Sequence, residues 1–110
     1  MAWQVYLAKA QSNLRVAEMA CDAGEYDPAV SRAYYAMFHA EIAALLRLTD
    51  FRPRRWDHDR VQAEFNRRLI HTRKVFSTAL RFIHNDMIGR RHIADYEVER
   101  LGRVVAKRCV

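Results

Sequence analysis

Residues 31–40 read SRAYYAMFHA, a run without glycine or proline in which apolar side chains occupy almost every side of a helix. The same character extends over residues 28–48 and is typical of a helix that is buried on all sides. We therefore predict a central helix over 28–48. Asp27 is its expected N-cap, and Pro28 suits the first turn because its missing amide would have no partner there. Small residues along one side allow another helix to approach closely: Ala29, Ala33, Ala36, Ala40 and Ala43.

Two further helices are predicted beside this central one. The first covers about 2–23 and ends at Gly24, since glycine adopts the left-handed cap conformation freely. Its inward stripe follows helical spacing and comprises Trp3, Leu7, Ala10, Leu14, Ala17 and Cys21. The third helix follows a loop over 50–56 and begins after Asp57, its expected N-cap. Its inward side comprises Val61, Phe65, Leu69 and the stem of Arg68.

The last third of the chain predicts two more helices. The fourth starts near Thr72 as N-cap and ends at Gly89, and the last covers about 95–108. The inward side of the fourth comprises Val75, Phe76, Ala79, Leu80, Ile83 and Met87, and that of the last comprises Tyr96, Leu101, Val104 and Val105. Short connections between helices predict an all-α, up-and-down antiparallel bundle of four to five helices, with residues 1–110 as a single domain.

The composition excludes several classes of protein. The chain has 110 residues, 51% of them hydrophobic and 29% charged, which is too apolar for a disordered chain. No apolar run reaches the roughly 18 residues of a membrane-spanning helix. The opening residues Met-Ala-Trp-Gln have neither the basic nor the apolar region of a secretory signal, so we expect none. Two cysteines, Cys21 and Cys109, are too few for a disulfide or zinc framework. We expect a cytoplasmic protein without a metal or a cofactor.

The positive charge is concentrated in the second half of the chain. The formal net charge is +6, and residues 52–91 carry most of it. This asymmetry indicates a polyanionic partner such as RNA or nucleotide phosphate, while an ordinary solvated surface is the alternative. The cations that would provide the field are Arg52, Arg54, Arg55, Arg67, Arg68, Arg73, Lys74, Arg90 and Arg91.

Three polar side chains of the central helix share one face. Arg32, Tyr35 and His39 follow one another at steps of three and four residues, so their side chains are neighbours. Polar groups on a buried helix are costly unless they are paired. One interpretation is an internal polar cluster in which Arg32 pairs with a carboxylate such as Asp95. The other is a reactive site.

Residues 31–40 also closely resemble the second-helix signature of the small prokaryotic HEPN-domain proteins. Asp27 precedes the signature at the usual distance, His58 and Phe65 resemble a pair in the third helix of that family, and RHIADY at 91–96 resembles its Arg-x-x-Ala-Asp-Tyr block. The resemblance spans about residues 25–97. It implies a helical bundle, homodimerisation and proximity to nucleotides or RNA. Many such proteins are encoded beside a minimal nucleotidyltransferase, in toxin–antitoxin-like pairs.

The resemblance leaves catalysis open. The nuclease branch of HEPN proteins carries Arg, four to six residues, then His, and cleaves RNA without a metal: His moves the 2′-hydroxyl proton and Arg stabilises the developing charge. No His follows Arg91 at that distance. Arg32 and His39 match the spacing, as do Arg52 and His58. His39 is the better candidate because it shares a helical face with its arginine.

These observations support three hypotheses. The leading one is an RNA- or nucleotide-binding homodimer that pairs with a nucleotidyltransferase, in which Tyr96 could accept a nucleotidyl group, as the resemblance implies. The alternatives are a metal-independent endoribonuclease that uses Arg32 with His39 or Arg91 with His92, and a structural dimerisation module. The candidate binding residues are Arg54, Arg55, Trp56, Arg90, Arg91, Asp95 and Tyr96.

Overall fold

The computed structural model describes residues 2–72, 79–96 and 102–110, and these residues form helices and connections without a strand. In chain order the elements are α1 Ala2–Asp22, α2 Tyr26–Leu48, α3 His58–Phe65, a π-helical segment Asn66–Thr72, α4 Ala79–Tyr96 and α5 Arg103–Cys109. The predicted all-α helical bundle is confirmed. No helix in these three ranges is long and apolar enough to cross a membrane.

The central helix lies where the sequence predicts it. Each of the other four α-helices contacts α2. Its Tyr34, Ile42 and Leu45 side chains are almost completely inaccessible to water. Four of the five small residues of the predicted stripe are buried, whereas Ala40 is exposed. Burial of large apolar side chains is the main stabilising contribution of such a core.

The turn between α1 and α2 fixes how these two helices pack. Gly24 has φ +80°, the Glu25 amide donates to the Ala20 carbonyl at 2.8 Å, and the Gly24 amide donates to the Cys21 carbonyl at 3.1 Å. This pair of bonds is a Schellman motif, which requires the left-handed conformation that glycine adopts at low cost. The predicted end of the first helix is confirmed.

The start of α2 differs from the prediction. The helix begins at Tyr26, and its N-cap is Glu25, whose side chain makes no capping hydrogen bond. The Schellman motif places Glu25 at the N-cap position, so the expected N-cap Asp27 lies two residues further on, inside the first turn. Its negative charge there still interacts favourably with the helix dipole. Pro28 also lies in this turn, where backbone amides lack helical partners.

The inward face of α1 is narrower than predicted. Ala10, Ala17 and Cys21 are buried, but Leu7 and Leu14 are both 39% exposed. The buried residues of α1 are all small. The buried strip is therefore narrow, and the two leucines lie at its edge.

The third helix follows the prediction closely. The Asp57 carboxylate accepts a hydrogen bond from the Arg60 amide at 3.2 Å, as expected for an N-cap. Val61, Phe65 and Leu69 are buried. Thr72 is the last residue of the π-helical segment, and residues 73–78, including the predicted Val75 and Phe76, lie outside the described residues.

The boundaries of the last two helices need correction. α4 continues through Gly89 to Tyr96, so Gly89 does not end it. A glycine inside a helix costs about 1 kcal/mol relative to alanine, and packing of Met87, which is buried, offsets that cost. The final helix starts only at Arg103, because Gly102 is extended with φ −89° and ψ 176°.

The inward face of α5 also differs from the prediction. Ala106 is its buried residue, whereas Val104 is 63% exposed. Val105 is half-buried, and Leu101 lies outside the described residues. Cys109 and Val110 pack beside Ala106, so the packed side of α5 leaves Val104 outside it.

Candidate functional site

The connection between α2 and α3 carries two adjoining grooves lined by arginines. Arg52 lines both grooves, which makes them one continuous surface. Among the described residues, the carboxylates that line it are those of Asp50 and Asp57. We call this the arginine surface, and its cations are Arg47, Arg52, Arg54, Arg55, Arg60, Arg67 and Arg68.

Arg52 holds the centre of this surface in place. Its guanidinium donates hydrogen bonds to three backbone carbonyls, those of Leu46 at 2.9 Å, Thr49 at 3.0 Å and Phe51 at 2.8 Å. These carbonyls lie at the end of α2, where free carbonyl groups and the helix dipole favour a cation. Arg52 therefore fixes the geometry of the loop that follows.

Two other arginines of this surface are neutralised by carboxylates. Arg68 contacts Glu64 at 2.6 Å and Asp50 at 2.8 Å, and Arg67 contacts Glu64 at 2.7 Å. Hydrogen bonding from Arg68 holds the pKa of the Asp50 carboxyl below its usual value. For Glu64, burial acts to raise the pKa, but the hydrogen bonds from Arg68 and Arg67 outweigh it and the pKa is lowered.

The remaining cations are available to a ligand. Arg54 and Arg55 are exposed, and no carboxylate among the described residues forms an ion pair with either of them. Arg47 lies 4.8 Å from the Trp3 ring centre and Arg60 lies 5.2 Å from that of Phe51. Ring contacts leave the positive charge of a guanidinium uncompensated, so these side chains can attract phosphate.

Trp56 lies beside this surface but packs inward. Its ring is partly buried and lies edge-on to the rings of Tyr6 and Phe51, with 5.9 Å between ring centres in both pairs. Such aromatic contacts stabilise the loop that presents Arg54 and Arg55.

A second polar region lies at the middle of α2. Arg32, Tyr35 and His39 do share one face: the Arg32 guanidinium lies 4.8 Å from the Tyr35 ring centre, and the Tyr35 and His39 ring centres are 6.4 Å apart. Asn13 of α1 joins them. Its Oδ1 accepts a hydrogen bond from Arg32 at 3.2 Å, and its Nδ2 lies 3.2 Å from His39 Nδ1.

These contacts define the protonation of His39. A guanidinium only donates, so the Asn13 oxygen faces Arg32 and the Asn13 amide donates to Nδ1 of His39. This contact favours the neutral imidazole with its proton on Nε2. Burial, the largest cause, and the nearby Lys9 and Arg32 charges lower its pKa below the usual value. Its Nδ1 lone pair is already used, which disfavours proton abstraction by this atom.

This arrangement predicts a pH dependence of stability. The pKa of His39 in the folded protein is lower than its unfolded value of about 6.5. Below that value the unfolded chain binds more protons, so the free energy of unfolding falls as the pH is lowered. We expect urea unfolding to show a steeper loss of stability between pH 7 and pH 5 for the wild type than for His39→Gln. Parallel losses in the two proteins would contradict this interpretation.

A second arginine, Arg91 of α4, contacts α2. The Arg91 guanidinium lies 4.9 Å from the Tyr34 ring centre, donates to the Tyr35 hydroxyl at 3.4 Å and lies 3.7 Å from the Asp95 carboxylate. Burial raises the pKa of Tyr34 well above its usual value, and its hydroxyl is hydrogen-bonded to Nδ1 of His58. The expected pair of Arg32 with Asp95 is wrong, because Asp95 lies one helical turn from Arg91 on α4.

The sequence blocks quoted above thus meet in space. Tyr34 and Tyr35 of α2 contact His58 of α3 and Arg91 of α4, and the Phe38 and His58 rings stack with centres 4.2 Å apart. We call this group the tyrosine cluster, and with the neighbours on α1 and α4 its members are Asn13, Arg32, Tyr34, Tyr35, His39, His58, Arg91 and Asp95.

The structure does not bring all the predicted binding residues together. Arg90 lies 3.2 Å from Asp86 and 3.5 Å from the Cys109 sulfur, towards α5. Neither Arg90 nor Arg91 lines the two grooves of the arginine surface. His92 is exposed. Tyr96 ends α4, and its side chain lies outside the described part, as do Arg73 and Lys74.

Sequence reasoning missed three contributors. Asn13 lies at helical spacing between Ala10 and Ala17 and so faces α2, a signal that was present in the sequence. Arg47 and Arg60 complete the arginine surface, but Arg47 belongs to the acidic half of the chain. Within the described ranges, no three His, Cys, Asp or Glu side chains come together as metal ligands do.

Comparison with known proteins identifies the family of the chain. The HEPN domain family matches residues 3–110, almost the whole chain. No curated protein and no solved structure matches it. This match identifies the HEPN domain and does not distinguish one branch of the family from another. The chain belongs to the HEPN domain family.

Proposed function

We propose that this HEPN domain binds RNA through the arginine surface. The observation that carries the proposal is the pair Arg54 and Arg55, which are exposed and without an ion-pair partner among the described residues, beside further arginines of the two grooves. Unpaired guanidiniums on one surface release counterions when they meet phosphates, and this is the main source of affinity for nucleic acids.

The proposal includes partners and a location. The resemblance to the small prokaryotic HEPN proteins supports a homodimer that acts as one half of a toxin–antitoxin-like pair with a minimal nucleotidyltransferase in the cytoplasm. Nucleotide phosphates are the smaller ligand that the same guanidiniums could bind. The transferase would modify Tyr96 at the end of α4, and mass spectrometry of the co-expressed protein would detect the added nucleotidyl mass on that residue.

The tyrosine cluster favours a structural role over catalysis. His39 Nδ1 accepts from Asn13, and Arg91 is held against two tyrosines of α2. A ribonuclease that uses Arg32 with His39, or Arg91 with His92, would have to break such contacts before either arginine reached a phosphate. We therefore propose binding rather than cleavage as the function of this chain.

Salt dependence tests the proposal directly. About four uncompensated arginines predict a slope of about −3 when the logarithm of the association constant for single-stranded RNA is plotted against that of the salt concentration. Fluorescence anisotropy with a labelled oligonucleotide in EDTA measures it, and gel electrophoresis checks that the RNA stays intact. A slope near zero would contradict RNA binding. Cleavage that disappears in His39→Ala would instead support the ribonuclease.

A further inference from the structure

An apolar notch lies between the start of α1 and the second half of α2. Trp3 and Leu7 form one wall and Ala40, Ala43 and Ala44 form the floor, around a volume of about 230 Å³. The floor consists of alanines, and the larger residues of α1 stand beside it, so the two helices leave an open space. Ala40 is exposed and Leu7 is 39% exposed, so the notch is open to solvent.

The notch is continuous with the arginine surface. Arg47 and Leu48 line both the notch and the first arginine groove. The Arg47 guanidinium lies 4.8 Å from the Trp3 ring centre, at the boundary between the apolar floor and the cationic groove. An apolar site and a phosphate-binding site therefore adjoin each other without an intervening carboxylate among the notch-lining residues.

We propose that this notch binds a nucleobase of the RNA whose phosphates lie on the arginine surface. The inference rests on the proposed function and adds a subsite to it. A nucleobase is flat and largely apolar on its faces, stacks on aromatic rings and is attached to a phosphate through one sugar. Arg47 lies where that phosphate would enter the first groove. A base pair holds its base inside a duplex, so the notch accepts an unpaired base.

The occupant follows from the charges around the notch. A helix of a partner protein would also fill an apolar space, but the adjoining groove is positively charged. Asp50 and Glu64 neutralise Arg67 and Arg68 there, and no ion pair among the described residues neutralises Arg47 or Arg52. A polyanion with attached apolar rings matches both halves of the surface, which a purely apolar helix does not.

Two matched probes and two matched variants test the inference. The probes are a 12-nucleotide single-stranded RNA and an abasic strand of the same length, and the variants are Ala40→Leu in the notch and Ala8→Leu on the exposed side of α1. We expect the wild type to bind the RNA about tenfold more tightly than the abasic strand, which is the effect of stacking one base. Ala40→Leu should lose this preference and keep its affinity for the abasic strand. Ala8→Leu should keep both.

The fluorescence of Trp3 gives a second readout. In a Trp56→Phe background Trp3 is the only tryptophan, and RNA should quench its emission whereas the abasic strand should not. Retention of the base preference in Ala40→Leu would overturn the inference and leave the arginine surface intact. A change of oligomeric state in Ala40→Leu without loss of the preference would assign the notch to a protein contact. Failure of the wild type to bind either strand would overturn the proposed function and, with it, the assignment of the notch as a nucleobase site.

Discussion

Arg54→Glu/Arg55→Glu is expected to weaken RNA binding by about a hundredfold or more. A hydrogen bond to a charged group contributes about 1.5 kcal/mol or more, so the loss of two guanidinium–phosphate contacts amounts to about 3 kcal/mol, which is roughly two powers of ten in affinity. The introduced carboxylates also repel phosphate. Anisotropy titrations at one fixed salt concentration measure the effect.

The matched control for this variant is Arg103→Glu/Arg108→Glu. These two arginines are exposed on α5. Their substitution by glutamate changes the net charge of the chain by the same amount as Arg54→Glu/Arg55→Glu. Exposed positions of this kind affect stability by about 0.5 kcal/mol or less, so both variants should unfold near the wild-type temperature. Equal losses of affinity in the two variants would show that only overall charge matters, which would contradict a localised RNA surface.

Arg91→Ala is expected to produce the largest loss of stability among the polar substitutions. Its side chain is 17% exposed and contacts Tyr34, Tyr35 and Asp95 at once. Removing one partner of a fully buried charged pair costs about 3–5 kcal/mol, and partial exposure reduces this to about 2–3 kcal/mol. For a domain of this size the melting temperature should fall by about 10 °C or more, as measured by circular dichroism.

The neighbouring residue supplies the control for Arg91. Arg90 belongs to the same helix but pairs with Asp86, whose side chain is 57% exposed, and exposed ion pairs contribute about 0–1 kcal/mol. Arg90→Ala should therefore change the melting temperature much less. If Arg91→Ala unfolds like the wild type but no longer binds RNA, Arg91 is a binding residue and its structural role here is wrong.

The helices that the sequence predicts best are those with uninterrupted apolar patterns. The central helix needs no tertiary information, because residues 28–48 contain apolar side chains on nearly every side. Gly89 and Gly102 show the limit of such reasoning. Both are possible helix ends, yet the chain stays helical through Gly89 and is extended at Gly102. Contacts of α4 with α2 favour the helix at Gly89, and no local pattern separates the two glycines.

Contacts within one helix of the candidate site could be predicted from the sequence, and contacts between helices could not. The neighbourhood of Arg32, Tyr35 and His39 follows from spacing within one helix. The pairing of Arg91 with Tyr35 depends on how α4 crosses α2, which no local pattern specifies. The arginine surface combines residues from the end of α2, the loop and α3, so charge counts along the chain indicate its sign but miss Arg47.

The central claim is that RNA lies on the arginine surface, and photo-crosslinking tests it most directly. A single-stranded RNA that carries 4-thiouridine is irradiated with the wild-type protein, and mass spectrometry locates the attached peptides. The account predicts crosslinks within residues 47–68. Crosslinks confined to α4 and α5 would contradict it.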